Sequence, residues 1–220
     1  MKTSFHRIAA ATLIACSAFA AQAGSVTFLG YANGSKPINF AVTAPATSGS
    51  TGAGGLSTQL NGGPTFASFC IDLYEHLGFN TPYTDYTPVA ANSFSFLNAN
   101  AAADLGRLFT AYGAVSTTSA TNSAAFQTAI WEIVDETATG PYSLTSGNAK
   151  FSGNAAALTQ ASLWLGALGT MNTVNLTVLH SNGHQDVIFA TAPVPEPGTY
   201  AMMAAGLAAM GFVARRRKPA

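Results

Sequence analysis

Cys70 is the side chain of this sequence whose isolation most needs a chemical explanation. The chain has two cysteines, and the other, Cys16, lies in a segment that we expect to be removed on export. An unpaired thiol in an oxidising compartment is open to mixed disulfides and to irreversible oxidation. Three states would protect it: burial as a small apolar side chain, an intermolecular disulfide, or an ester between the sulfur and another side chain.

Two short motifs favour the ester. Phe69-Cys70-Ile71-Asp72 reads as a strand, and Phe126-Gln127-Thr128-Ala129-Ile130-Trp131 reads as part of a helix. Between positions 66 and 136 the pair resembles the thioester domain, a family known mainly from surface adhesins of Gram-positive bacteria. In that family a cysteine in an aromatic-Cys-aliphatic strand bonds to the glutamine of an apolar-Gln-x-x-aliphatic-Trp helix. The resemblance implies a thioester between Cys70 and Gln127, within a pocket of Trp131, Phe69, Asp72, Phe126 and Ile130.

The chemistry of such a pair can be stated without the resemblance. Attack of a thiolate on a carboxamide expels ammonia and leaves a thioester. An amide is a poor electrophile, so the reaction needs near-attack geometry and oxyanion donors, which only a folded chain supplies. A sheltered thioester stores an acyl group until an amine or hydroxyl of a partner reaches it. We therefore expect a single covalent attachment and not an enzyme with turnover.

Helical spacing places Gln127 at the edge of an apolar stripe. The stripe consists of Phe126, Ile130, Ile133 and Val134. Trp131 follows Gln127 by one turn, and its indole would keep water from the bond. The same spacing predicts that Glu132, Asp135 and Glu136 point away from the core. Alternatively, Gln127 is an ordinary glutamine at a helix edge and Trp131 is a core aromatic residue.

The histidines give a weaker signal. His76, His180 and His184, with Asp72 or Asp186, are the residue types of a zinc site or of a Cys-His hydrolase. However, His180 and His184 straddle a predicted turn and do not share a helix face. No Gly-rich phosphate loop follows a strand. We expect no metal and no cofactor.

Strand patterns begin and end the body of the chain. Segments 25–32 and 37–44 flank Asn33-Gly34, a hairpin signal, and segments 173–181 and 184–191 flank a second one, Asn182-Gly183. Segment 66–75 alternates and places Cys70 on its more polar face, and segment 83–90 is a further candidate strand. Segment 45–64 has neither charge nor periodicity, which predicts a long flexible loop.

Helical patterns cover 98–112, 123–136 and 154–168. The expected fold is therefore α+β, with antiparallel sheets from both ends of the body and a three-helix insert.

The N-terminus is typical of an export signal. Lys2 and Arg7 precede an apolar run over 8–21, and Ala21-Gln22-Ala23 provides a signal-peptidase site. We expect cleavage after Ala23, so that residues 1–23 are a signal peptide. An N-terminal membrane anchor is disfavoured because the apolar run is short.

The C-terminus has three consecutive parts. Pro195-Glu196-Pro197 is followed by an apolar segment over 198–214 and then by Arg215-Arg216-Arg217. This order resembles the PEP-CTERM sorting signal of Gram-negative bacteria that make extracellular polysaccharide, and it implies processing by an exosortase. The apolar segment would be about 25 Å long as a helix, a marginal membrane span with its basic end held in the cytoplasm. A simple tail anchor is the alternative for 194–220.

Composition limits the partners. Charged residues are 8 % of the chain, against about 25 % in soluble domains, which excludes a nucleic-acid binder that works through a basic surface. The predicted domain at 24–193 is acidic. We expect a protein exported from a Gram-negative bacterium that crosses its inner membrane transiently and attaches covalently to a surface protein or matrix polysaccharide. The alternative is a noncovalent module that binds or builds an exopolysaccharide biofilm matrix, with Cys70 merely buried.

Overall fold

The computed structural model describes residues 24–137, 141–191, 206–207 and 210. Within 24–137 and 141–191 the chain forms ten strands, three α-helices and a short 3-10 helix at Ala91–Ser93. The strands are β1 (Val26–Tyr31), β2 (Lys36–Val42), β3 (Thr47–Ala53), β4 (Leu56–Leu60), β5 (Thr65–Cys70), β6 (Pro82–Tyr83), β7 (Thr87–Ala90), β8 (Ala149–Gly153), β9 (Asn175–His180) and β10 (Val187–Thr191). The helices are α1 (Ala101–Ser116), α2 (Ala120–Asp135) and α3 (Ala155–Gly166).

Both ends of the body contribute to one antiparallel sheet, as predicted. Its order is β6-β1-β4-β5-β10-β9-β7, and the β5–β10 pair joins strands from the parts of the body before and after the helices. A second antiparallel sheet has the order β3-β2-β8. The α+β class is therefore confirmed for the described residues.

Helix α2 is the centre of the fold. It packs against α1 and α3, against β5 of the large sheet and against all three strands of the small sheet. Its N-terminus is capped by Ser119, whose side chain accepts a hydrogen bond from the backbone of Asn122. All three predicted helices are present, although α1 continues past Gly113 to Ser116 and α2 begins three residues before the expected start at Ser123.

The predicted N-terminal hairpin is wrong. β1 pairs with β4 and β6, whereas β2 pairs with β3 and β8, so the turn at Asn33-Gly34 carries the chain from one sheet to the other. The long flexible loop predicted for 45–64 is also wrong, because this segment forms β3 and β4. Its Ser, Thr and Gly residues are small and show little of the apolar-polar alternation that marks a strand. Pairing of its backbone with β2, β1 and β5 determines its conformation.

The C-terminal hairpin is confirmed as β9 and β10. Its loop is longer than the two residues of the turn signal, and Asp186 closes it by accepting a hydrogen bond from the backbone of Ser181 at 2.9 Å. The strand predicted over 66–75 stops at Cys70, and the candidate strand over 83–90 is divided between β6 and β7.

The two predicted sorting segments lie largely outside the described residues. The signal peptide at 1–23, the Pro195-Glu196-Pro197 motif and Arg215-Arg216-Arg217 all fall there, and of the apolar segment only residues 206, 207 and 210 are described, as helix. None of the described helices combines the length and apolar character that a membrane crossing requires.

Candidate functional site

The site forms where β5 extends past its neighbour β4. Leu56, the first residue of β4, pairs with Ser68 of β5, so the backbone of β5 beyond Ser68 has no strand on that side. Helix α2 occupies the position instead. Its Ser123 Oγ accepts a hydrogen bond from the backbone N–H of Gly55 at 2.8 Å, and Gln127 lies one turn further along the same face.

Gln127 and Cys70 are joined by two hydrogen bonds. The backbone N–H of Cys70 donates to Gln127 Oε1 at 2.9 Å, and Gln127 Nε2 donates to the carbonyl oxygen of Cys70 at 2.7 Å. Gln127 is 1 % exposed and Cys70 is 7 % exposed. The carboxamide thus replaces the missing strand partner of Cys70, and the two residues singled out by the motifs lie side by side.

The thiol of Cys70 has a different partner. Its Sγ donates to Gln185 Oε1 at 3.2 Å, and Gln185 Nε2 donates to the carbonyl oxygen of Asp72. Burial, reinforced by the Asp72 carboxylate, raises the pKa of the Cys70 thiol far above its ordinary value. The thiol is therefore protonated at neutral pH. Sequence reasoning missed Gln185, because its segment carries only a turn signal and gives no indication of contact with Cys70.

A cavity of about 170 Å³ opens beside the sulfur. Trp131 forms one wall, is 1 % exposed and stacks on Phe151 with 6.4 Å between ring centroids. The indole Nε1 has no hydrogen-bond partner among the described residues, so Trp131 contributes here by packing. The residues that line the cavity are Tyr31, Thr51, Gly52, Leu56, Cys70, His76, Leu77, Phe79, Trp131 and Gln185.

The other residues predicted for the pocket lie around this site and do not line the cavity. Phe69 and Phe126 contact each other with ring centroids 4.8 Å apart, and they belong with Ile130 to the buried core. Asp72 accepts hydrogen bonds through Oδ1 from the backbone of Tyr74 and Glu75, which turns the chain after β5. These four residues hold β5, α2 and the segment after Cys70 in position.

The predicted orientation of the acidic residues of α2 is wrong. Glu132, Asp135 and Glu136 are all buried. The segment leading into β8 contacts the Glu132 and Glu136 carboxylates, and the Tyr74 hydroxyl donates to Asp135 Oδ1 at 3.2 Å. Glu132 Oε1 accepts from the backbone of Ser143 at 2.8 Å, and the Glu136 carboxylate accepts from the backbone of Asn148. Burial raises the pKa of both Glu132 and Asp135 to about 7.

His180 and His184 form carboxylate pairs that do not include the sulfur. His180 Nδ1 lies 2.9 Å from Asp186 Oδ2, and His184 Nδ1 lies 3.0 Å from Asp85 Oδ2. His76 lines the cavity, but the hydrogen-bond partner of the thiol is Gln185. In the described ranges there is no group of three His, Cys, Asp or Glu residues placed to hold a metal ion.

Comparison with known proteins identifies the C-terminal segment. Residues 193–218 match the PEP-CTERM protein-sorting motif. Neither a curated protein nor a solved structure matches the chain, so the thioester resemblance of the body stays a prediction. The predicted sorting signal is confirmed: the chain carries a PEP-CTERM motif, which implies an exported protein that an exosortase processes and that is sorted to the surface of a Gram-negative bacterium.

Proposed function

We propose that the exported body forms an internal thioester between Cys70 and Gln127 and uses it to attach once, covalently, to a surface or matrix partner. The observation that carries the proposal is the pair of hydrogen bonds, 2.9 and 2.7 Å long, between the Gln127 carboxamide and the Cys70 backbone. The electrophilic carbon Cδ lies between the two bonded atoms, so these contacts hold it beside the residue that bears the sulfur.

Bond formation needs one rotation and one proton transfer. Cys70 Sγ turns from Gln185 toward Gln127, the Sγ–Cδ bond forms, the Cδ–Nε2 bond breaks, and the thiol proton leaves with the nitrogen as ammonia. The raised pKa of the thiol disfavours a preformed thiolate, so the thiol proton has to move to Nε2 as the Sγ–Cδ bond forms. The backbone N–H of Cys70 already donates to Oε1 and would stabilise the developing oxyanion.

The packing around Gln127 and Trp131 would also protect the thioester from water. Gln127 and Trp131 are each 1 % exposed, and the cavity beside the sulfur has room for a few water molecules or a slender side chain. Exclusion of bulk water slows hydrolysis of an acyl group until a nucleophile enters. The only lysines of the body, Lys36 and Lys150, are absent from the cavity lining, which favours reaction with a partner over self-modification.

The sorting motif supplies the setting of this proposal. A protein delivered to the outer surface meets the matrix polysaccharide and the surface proteins of its own cell. A stored acyl group would anchor it there with a bond that outlasts the removal of its membrane segment. The reaction consumes the thioester, so the protein acts once and is not an enzyme.

Intact mass spectrometry of the purified exported protein tests the proposal. We expect the mass of the wild type to be one ammonia below that calculated from its sequence. Cys70→Ala and Gln127→Ala should have their full calculated masses, and the control Gln160→Ala on α3 should again be one ammonia below its own. Methylamine should add to the wild type and leave one free thiol. A full sequence mass in freshly purified wild type, with no methylamine adduct, would leave Cys70 as a buried thiol and the body as a noncovalent module.

A further inference from the structure

Strand β3 has one free edge. It pairs along Thr47–Ala53 with β2 and lies at the end of the small sheet. Successive residues of a strand direct their backbone groups to opposite edges. The carbonyl of Gly52 accepts from the Tyr31 hydroxyl at 2.9 Å, and its partner in the sheet is Pro37, which has no N–H to donate. Gly52 therefore faces the free edge.

By the same alternation, Ser50 and Ser48 also direct their N–H and C=O groups outward. No hydrogen bond joins these outward groups to another residue in the part of the chain that the structure describes. The strand has the sequence Thr-Ser-Gly-Ser-Thr-Gly-Ala, without charge or proline, and residues 48–50 are exposed. Natural proteins usually protect such edges with charges, prolines or bulges, because a free edge pairs with any extended chain.

A cleft follows this edge and leads to the sulfur. It has a volume of about 340 Å³, with residues 47–51 of β3 on one side and residues 73–76 on the other. Thr51, His76 and Gln185 line both this cleft and the cavity beside Cys70. The free edge and the site of the proposed thioester are thus connected through three shared residues.

The charge of the cleft favours a cationic entrant. Glu75 lines it, and neither Lys nor Arg is among the residues that line the cleft or the cavity. The other residues lining the cleft include His76, Gln185 and Leu73 beside hydroxyl-bearing and aromatic ones. Among the described residues no ion pair within 4 Å joins the Glu75 carboxylate to Lys, Arg or His. An ammonium group is the natural counterpart of such a site.

We propose that β3 is the docking edge for an extended segment of a partner protein, and that a lysine of this segment is the acyl acceptor. The inference rests on the proposed thioester. Residues directly opposite in paired strands have their side chains on the same face, so a lysine opposite Thr51 would extend toward the cavity. Its ammonium group first gives one proton to water; the neutral amine nitrogen then attacks the Gln127 carbonyl carbon, the C–N bond forms, the C–S bond breaks, and a second proton passes from the nitrogen to Cys70 Sγ.

A pair of synthetic peptides tests the docking step. Both alternate Thr and Val around one central Lys, and the second carries N-methyl groups on alternate backbone amides, which remove hydrogen-bond donors but keep every side chain. With wild-type protein, the unmethylated peptide should form the isopeptide adduct about tenfold faster, the effect of losing roughly one or two main-chain hydrogen bonds. Adduct formation is measured by intact mass against time.

Two variants at one position test the edge. Ser50→Pro removes an outward N–H without removing a bond to β2, and it should abolish the rate difference between the peptides, whereas Ser50→Ala should retain it. Methylamine, which needs no edge, should react equally with the wild type and both variants. Equal rates for the two peptides with wild type, or an unchanged difference in Ser50→Pro, would overturn the docking proposal.

Docking is also measured without the thioester. In the Cys70→Ala protein, fluorescence anisotropy should show about tenfold tighter binding of the unmethylated peptide, and Ser50→Pro in that background should remove the difference. Absence of binding there overturns the docking edge even if the ammonia is lost in wild type. Binding there, with no loss of ammonia in wild type, overturns only the thioester.

Discussion

Replacement of Gln127 should destabilise the fold even where no thioester can form. In a Cys70→Ala background, the substitution Gln127→Leu keeps a side chain of similar size and removes both hydrogen bonds to the backbone of residue 70. Cys70→Ala alone leaves the two bonds in place, since they use only main-chain atoms of that residue. The comparison therefore isolates what the carboxamide does for the end of β5.

The magnitude follows from two buried groups that lose their partners. An unsatisfied buried N–H or C=O costs about 1–3 kcal/mol, which gives about 2–6 kcal/mol for the pair. The cavity of about 170 Å³ beside residue 70 could admit a water molecule to one of them, and burial of leucine offsets part of the rest. We expect the free energy of unfolding to fall by about 3 kcal/mol.

Urea unfolding, followed by the fluorescence of Trp131 and Trp164, measures this loss. The midpoint should fall by about 1 M or more with an unchanged slope. Gln160→Leu on α3 is the matched control, because Gln160 is a half-exposed helical glutamine, and it should change the free energy by less than about 0.5 kcal/mol. If Gln127→Leu lowers the free energy of unfolding no more than the control does, the two hydrogen bonds are refuted, and with them the placement of the Gln127 Cδ beside Cys70.

Three further predictions concern the charge, the cavity and the tail. The contribution of Glu132 and Asp135 to the free energy of unfolding should be largest below about pH 4 and should be lost as the pH rises to about 8, because their folded pKa values of about 7 exceed the ordinary 4.5 and 3.8. Urea titrations at several pH values should show a flatter profile for Glu132→Gln. Trp131→Phe should cost about 1–2 kcal/mol and shorten the lifetime of the thioester, as read by the return of the full mass in water; an unchanged lifetime would contradict its role as a wall. Alanine at all three positions of the Pro195-Glu196-Pro197 motif should leave the precursor uncut, visible on immunoblots of membrane fractions, and normal processing would exclude the motif as the recognition element.

The helices could be predicted because they depend on patterns within short segments, and the Cys70–Gln127 proximity because two motifs resemble those of the thioester domain. Apolar periodicity identifies α2, and the spacing of Gln127 and Trp131 by one turn puts both on one face. The C-terminal hairpin was equally accessible, since Asn182-Gly183 joins two strands that do pair. In each case the local signal and the tertiary structure agree.

The errors arise where pairing over long distances determines the local structure. β3 consists of Thr, Ser, Gly and Ala, and its conformation is imposed by β2, so its sequence resembles that of a flexible loop. Glu132 is covered by a segment that follows α2 in the chain, and the Asp135 carboxylate accepts a hydrogen bond from Tyr74, far earlier in the chain; periodicity within the helix reveals neither contact. Gln185 reaches the sulfur from 115 positions away.

The hydrogen bonds of the site explain the presence of Gln127 but not that of Cys70. A carboxamide at position 127 satisfies the end of β5 by itself, and this structural role would suffice to explain Gln127. It does not explain the thiol, because alanine at position 70 would offer the same N–H and C=O to Gln127 and would not oxidise. In a protein sent to the cell surface, it is therefore the buried thiol of Cys70, and not Gln127, that needs a chemical explanation. The mass of the wild-type protein decides whether Cys70 stores an acyl group or only packs in the core.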